Sequence, residues 1–490
     1  MNERADVLRR LRALADSPAG HGLPGGPELR QRAHRRRQRR RAAGAIAAAV
    51  IIAAAVVVPL RAHGHGPATA TSGPSAAGTA GGAAGPAAYQ VISRSGSAVE
   101  LASSVPAAAP AGPAAERSVA TAEEQFALEF LQRVAGQAAG ANAVVSPSSL
   151  AEALAMLELG ARGSSATQLA TALRTSGLTA AGQAAAWHAL IADEEHTAAA
   201  QGISLESANA IWTQRGMKLY RPFMAALRGN FGAGVWQADF AGHPDAAVQA
   251  LNAWTSAQTH GRIKQLFSPG AVGPQTQLVL ANALYLKAAW ATPFDPAETA
   301  DGPFRLGSGK TTTVPFMHST DPLSVRASAS GGVDAVQLPY GKGRFAAVVL
   351  MPTGQDLGSY LAGLTPAGLT RQLAGMQPGE VQLAMPKFTL RGSNQLNGTL
   401  QAMGVRGVFG SPGLTAIAPG GLSVQDVEQH TYLSVTEQGT EAAAATGIAI
   451  GESLTLPTLK LTINRPFLFL VRDTATGAIL FASTVVNPGQ

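Results

Sequence analysis

Cysteine is absent from the 490 residues. Disulfides, thiolate zinc sites and a cysteine nucleophile are thereby excluded. Export stays open, because a secreted protein of bacterial type needs no disulfides. Local catalytic signatures are missing too. There is no Gly-x-Ser-x-Gly, no His-Glu-x-x-His, no Walker-type loop and no Gly-x-Gly-x-x-Gly after a strand. Serine, histidine and aspartate all occur, so only a triad assembled from distant positions is left to an enzyme reading. The acidic pairs Glu123–Glu124 and Glu194–Glu195 read as solvated helix faces rather than acid/base pairs. No repeat of 20–50 residues is visible.

Net charge is also lacking, outside one segment. Residues 1–41 hold 12 Arg against 4 acids, while the other 449 hold 25 basic and 26 acidic residues. The pI near 9.9 therefore belongs to the head. It does not point to nucleic acid as a partner of the main body, nor to a polyanionic cofactor. The two histidines His63 and His65 stand alone beyond the head, and no metal site is expected there.

What is present begins with "RAHRRRQRRR", Arg32 to Arg41, followed by the uncharged "AAGAIAAAVIIAAAVVVPL", Ala42 to Leu60. Nineteen residues of helix span roughly 28 Å, about one hydrocarbon core. Arginine stays on the cytoplasmic side, so residues 1–41 are expected inside and everything after Arg61 outside. A cleaved signal peptide is the alternative; the long polar lead and the long apolar run favour a retained anchor. Residues 61–117 are rich in Ala, Gly, Pro, Ser and Thr and read as a flexible linker. The remainder, 118–490, reads as one large α+β domain, helices first and strands later.

Within that domain Thr121 and Glu124 suit a capping box. Ser146 suits an N-cap and Pro147 the first helical position, with Gly160 and Gly163 closing that helix and Ser165 and Gln168 capping the next. "TQLVLANALYL", Thr276 to Leu286, is apolar on both faces, as a central strand requires. Asn282 would be a buried amide in it and must find partners. "RFAAVVLMP", "VQLAMPKFTL", "LKLTINRPFLFLVRD" and "AILFASTVV" read as further strands.

One stretch does not fit a static strand or helix: "EQGTEAAAAT", Glu437 to Thr446. Read as a strand, it places Thr440, Ala442, Ala444 and Thr446 on one face and Glu441, Ala443 and Ala445 on the other. The first face is small throughout and could enter an existing sheet without a clash, with Gly439 as pivot. An Ala-rich loop or short helix is the simpler account from composition alone.

The surroundings decide between the two. "NAVVSPSSL", "LELGARGSSATQL", "LNAWTSAQTHGRIKQLF", "LVLANALYLKAAWATPFDPAET", "VQLPYGKGRFAAVVLMP", "MPKF", "NRPFLFLVRDTATGAILF" and "VVNP" occur in the order and spacing of the serpin family. Residues from about Thr121 to Pro488 closely resemble it. The resemblance implies the serpin fold and a suicide inhibitor of serine endopeptidases rather than an enzyme. An exposed loop is cut as bait, forms an acyl-enzyme and inserts into the central sheet with the protease attached. Fifteen inserted residues would span roughly 50 Å.

By the same resemblance Glu437, Gly439, Thr440, Glu441, Ala442, Ala443, Ala444, Ala445 and Thr446 form an inhibitory hinge. Counting fifteen residues from Gly439 puts the bait bond at Ser453–Leu454, with Leu454 and Thr455 as neighbouring choices. No Arg or Lys lies between Gly439 and Pro457, so elastase-, subtilisin- or chymotrypsin-like serine proteases are expected as targets rather than trypsin-like ones. Cysteine proteases are a further option. Ser146, Ser149, Asn282 and Gln429 fall in the shutter under the central strands. Many members carry His where Gln429 stands, and His430 lies one residue over, on the other face. Further departures are "FASTVVNP", which lacks the Gly-Arg common before the final Val, and "ALYLKAAW", which has Leu and Ala where Phe and Gly are common. The expected state is a monomer on the outer surface of a cell membrane, anchored through 42–60, without cofactor or metal, with a released form as a variant. A non-inhibitory serpin acting as a binding or structural module is the alternative.

Overall fold

The computed structural model describes residues 90–102, 112–138, 140–328, 332–410, 412–440 and 459–490, all within a compact unit, Gly85–Gln490. The head 1–41 and the apolar segment 42–60 lie outside the described residues. So do Glu441, Ala442, Ala443, Ala444, Ala445, Thr446, Ser453 and Leu454. Among the described residues no helix is long and apolar enough to cross a membrane.

The elements alternate only in part. First come β1 (Gln90–Ser95), β2 (Ala98–Ala102), α1 (Pro113–Gln137), β3 (Ala143–Val145), α2 (Pro147–Glu158), α3 (Gly163–Ala172) and α4 (Ala180–Ala200). Then come β4 (Ser204–Gln214), α5 (Arg221–Phe231), β5 (Val235–Ala238), α6 (Pro244–Gln258), β6 (Leu278–Ala289), β7 (Ala300–Arg305), β8 (Thr311–Arg326), β9 (Val333–Pro339) and β10 (Phe345–Pro352). The remainder is α7 (Leu357–Gly363), α8 (Pro366–Ala374), β11 (Gln377–Pro386), β12 (Phe388–Gln395), α9 (Asn397–Ala402), β13 (Val424–Thr436), β14 (Gly439–Thr440), β15 (Leu459–Thr462), β16 (Phe467–Asp473) and β17 (Ile479–Val485).

Two sheets result. The central one has eight strands in the order β1-β2-β5-β4-β6-β14-β13-β12. The second has nine, β15-β11-β8-β9-β10-β16-β17-β3, with β7 on β8. Helices α1, α2 and α4 share one core with Leu278, Leu280, Ile211 and Val427 of the central sheet. Leu284, Leu286, Leu205 and Leu433 of the same strands pack instead into the core shared with the second sheet. Helix α6 covers the opposite face, where Trp254 meets Trp212 edge-on at 6.1 Å and Trp212 stacks on Trp236 at 4.9 Å.

Several expectations are corrected here. The linker 61–117 is not unstructured throughout, since β1 and β2 form a hairpin within it. The turn is made by Gly96, whose φ of 54° suits glycine. Ala98 and Leu101 point to opposite faces of the sheet and are buried in two different cores, so burial on both faces outweighs the Ala/Ser/Gly composition around the hairpin. Helix α1 starts at Pro113, a residue preorganised for a first turn. Thr121 therefore sits inside it and donates back to the Arg117 carbonyl at 2.9 Å instead of capping. Ser165 lies inside α3, and Gln168 accepts from the Arg406 and Gly407 amides at 2.9 and 2.7 Å. Glu123 and Glu194 are buried, not solvated. Burial pushes both carboxyls well up; the Asp473 and Glu124 charges add to it at Glu123, and the Glu123 and Asp473 charges add to it at Glu194.

Candidate functional site: the seam between β6 and β13

The seam begins as a parallel pairing. Val424–Thr431 of β13 runs alongside Leu278–Leu284 of β6. Asn282 stands on β6 between Leu280 and Leu284, at the border of the two cores. Gln429 holds the same place on β13, between Val427 and Leu433. Asn209 holds it on β4, between Leu205 and Ile211. The register sets Asn209 opposite Asn282, Asn282 opposite Gln429, and Gln429 opposite Asn394 of β12. A row of four amides thus crosses four strands at one level.

Asn282 and Gln429 are buried and Asn209 and Asn394 half-buried, and Gln429, Asn282 and Asn209 satisfy one another. The Gln429 Nε2 donates to Asn282 Oδ1 at 2.6 Å and to the Ser146 carbonyl at 2.8 Å, and Gln429 Oε1 accepts from the Ser146 amide at 3.1 Å. Asn282 Nδ2 donates to Ser149 Oγ at 2.7 Å and to Asn209 Oδ1. Asn394 Nδ2 donates to the Val144 carbonyl at 3.2 Å. Ser146 starts α2 as its N-cap with Pro147 behind it, but its hydroxyl donates to the Leu480 carbonyl at 2.9 Å rather than capping. The four residues named from the sequence, Ser146, Ser149, Asn282 and Gln429, are therefore brought together on one network. Gln429 both donates and accepts there without a charge. His430 lies on the opposite face, where its Nε2 meets Ser393 Oγ at 2.9 Å. Burial lowers its pKa.

Further along, the seam is parted. Gly439 and Thr440 form β14, antiparallel to β13 on one side and to β6 on the other. Only glycine fits the first of these places. Its φ is +141°, and a Cβ would collide with the Ala288 carbonyl oxygen and come within 2.8 Å of Ala289 Cα. Thr440 is buried, and its Oγ1 shares a 2.6 Å hydrogen bond with the Tyr340 hydroxyl. Tyr340 stacks on Trp290 at 4.5 Å, and Trp290 Nε1 donates to the Thr436 carbonyl at 2.9 Å. Glu437 is buried beside Lys387, whose Nζ lies 3.0 Å from Oε2, and Thr299 Oγ1 donates to Oε1 at 2.9 Å. Burial acts to raise the Glu437 carboxyl, but the backbone, Lys387 and Thr299 hydrogen bonds outweigh it and hold the pKa below the ordinary value.

Sequence reasoning missed the partners. Asn209 and Ser207 interrupt the inward row Leu205–Ile211, and Glu152 is an acid flanked by apolar residues in the buried run Leu150–Leu157 of α2. A polar residue breaking an inward apolar period was the available signal. Lys387, Tyr340 and Trp290 gave none, since they meet the segment Thr436–Thr440 across 50 to 146 residues of chain.

Comparison with known proteins agrees with this architecture. The family model described as Serpin (serine protease inhibitor) matches residues 121–488. A serpin-like protein of Thermococcus kodakarensis is 30% identical, over 76% of this chain and 86% of its own. Leukocyte elastase inhibitor A of Mus musculus is 29% identical, over 76% and 99%. Among solved structures, human thyroxine-binding globulin in complex with thyroxine superposes with a TM-score of 0.70 at 26% identity, covering 76% of this chain and 99% of that one. The thermophilic serpin tengpin in its native state shares the fold at 0.68 and 22%, covering 78% and 97%. With a family match across three quarters of its length and a mixed sheet parted at one seam, the chain belongs to the serpin family.

Proposed function

We propose that the chain is a suicide inhibitor of serine endopeptidases, presented outside the cell by a membrane anchor at residues 42–60. The observation that carries this reading is the parted seam. Two residues of the hinge already sit between β6 and β13, and the residues that would follow on the same face as Thr440, namely Ala442, Ala444 and Thr446, are small. Cleavage at Ser453–Leu454 would free the loop to continue along the same path. In this reading Glu437 and Gly439 to Thr446 act as hinge, and Ser146, Ser149, Asn282 and Gln429 as the shutter that holds the sheet closed. The protein acts as a monomer, needs no cofactor, and takes proteases whose primary pocket accepts a small or leucine side chain. Its domains are the Arg-rich cytoplasmic head 1–41, the anchor, a linker that ends at the β1–β2 hairpin, and the inhibitor body.

The test is incubation with an elastase-like and a subtilisin-like protease, followed by denaturing gels and mass spectrometry. A covalent band and a released peptide beginning at Leu454 are expected. Cleavage without a complex, across several protease classes, would instead assign the chain to the non-inhibitory binding members. The anchor is tested separately by fractionating cells that express the full chain and a variant lacking 42–60. Retention of both in the membrane fraction would overturn it.

A further inference from the structure

The amide row has a direction. Gln429 donates to Asn282, Asn282 to Asn209, and Asn209 Nδ2 donates onward to Glu152 Oε2 at 2.6 Å. Ser207 Oγ donates to the same oxygen at 2.5 Å. Asn282 and Asn209 thus turn their NH2 groups toward Glu152 and their carbonyls toward β13, and the Gln429 NH2 crosses the seam to start the chain. A carboxylate accepts and cannot donate. Placed at the end of the chain, it fixes the orientation of every amide back to the hydrogen bond that crosses from β13 to β6.

Glu152 also joins separate elements. It sits on α2, whereas both of its donors sit on β4. Sheet opening requires β4 and β6 to move away from β13 over the helix beneath. We propose that Glu152 is a positioning residue of the loop-insertion step, and that its ionised form latches β4 to α2 and holds the seam shut. This inference rests on the reading of the chain as a loop-inserting inhibitor.

The surroundings make the latch sensitive to protons. Glu152 is 8% exposed and borders a small recess of about 20 Å³, room for at most one water. From α4 it is faced by Glu194 and Glu195, from β6 by Leu284 and from β17 by Leu480. Its own helix adds Ser148. None of these is a cation. Burial pushes the Glu152 carboxyl up to about 7 and the Glu195 charge adds to it, against the hydrogen bonds of Ser207 and Asn209. Above that pH the two donors face a carboxylate, and charge-assisted bonds are roughly twice as strong as neutral ones. If Glu152 stays buried under α4 while β4 withdraws its donors, the ionised form resists the movement. Insertion is then faster below about pH 7 than above it. Global stability responds in the opposite sense. A carboxyl whose pKa rises from 4.5 to about 7 on folding favours the folded state most at low pH, and that contribution is lost between the two values.

The experiment uses the full chain and follows conversion of the native protein to the loop-inserted form between pH 5.5 and 8.5. Conversion is read as the fraction whose loop resists cleavage and whose thermal transition has moved up. Wild type is expected to slow severalfold as pH rises through about 7. Glu152→Gln keeps the shape and an acceptor but cannot titrate, and its profile is expected to be flat. Glu195→Gln removes the facing charge and is expected to move the midpoint to lower pH without abolishing it. A wild-type profile that is flat or of opposite sign, or an E152Q profile that still titrates like wild type, overturns the proposal. A chain that gains no thermal stability after loop cleavage at any pH refutes the inhibitor reading itself, and the latch falls with it.

Discussion

The two halves of one seam are closed by different chemistry. Where β6 and β13 pair directly, neutral amides sit between two apolar cores, and the side-chain bonds run from strand to strand. Where β14 parts them, an aromatic stack, an ion pair and a hydroxyl pair hold Glu437 and Thr440. The first half depends on mutual satisfaction. Removing one amide strands its neighbours, because buried polar groups without partners cost more than a made bond gains. The second half depends on shape and charge, and each of its contacts can be lost singly.

That contrast can be broken from either side. The largest effect is expected at Gly439→Val. The φ of +141° and the nearby Ala288 carbonyl leave no room for a side chain. Strain and overpacking should together cost roughly 4 kcal/mol, read as a lower urea midpoint at constant slope. Next is Asn282→Ala, which leaves Gln429 Nε2 and Asn209 Oδ1 short of a partner. About 3 kcal/mol of native stability should be lost. If the row is mutually dependent, Gln429→Ala added to Asn282→Ala should cost much less than it does alone. Additive losses would show that the amides act independently.

Smaller effects are expected at the parted half. Tyr340→Phe removes the partner of the buried Thr440 hydroxyl and should cost about 1.5 kcal/mol. Adding Thr440→Val should recover part of it. Lys387→Ala should cost about 1 kcal/mol, because the lysine is 41% exposed and solvent screens the pair. Its pH dependence follows from Glu437. A carboxyl held below its ordinary 4.5 adds stability above that pH and loses it as pH falls further. The gap between wild type and K387A should therefore close on acidification below 4.5, as unfolding curves at successive pH values would show.

How far the sequence revealed this depended on the kind of signal. Asn282 was legible because a polar residue broke an apolar strand, and Ser146 with Pro147 marked a helix start. The strands 345–352 and 467–473 followed from continuous apolar runs. The hairpin 90–102 was hidden, because its few apolar residues lie in a segment whose average composition resembles a linker. The start of α1 was misplaced for the same reason, with Pro113 and the alanines after it read as linker. Glu123 and Glu194 were misread since an acidic pair on a helix is usually solvated, and only tertiary packing turned one of each pair inward. Glu152 carried a sign, an acid in an apolar run, but its pairing with Ser207 and Asn209 did not, because α2 and β4 meet only in the folded chain.

The direction of β14 has a further consequence. β6 and β13 run parallel to each other, and β14 runs against both. Any strand that advances beyond Thr440 along this line erases one parallel ladder and writes two antiparallel ladders in its place. Antiparallel rungs are somewhat the stronger kind, and their number doubles at each step. Moving forward thus adds bonds, whereas moving back must strip a strand held along both edges. In a loop-inserting inhibitor such a sheet would work as a ratchet, with Gly439 and Thr440 as its first tooth.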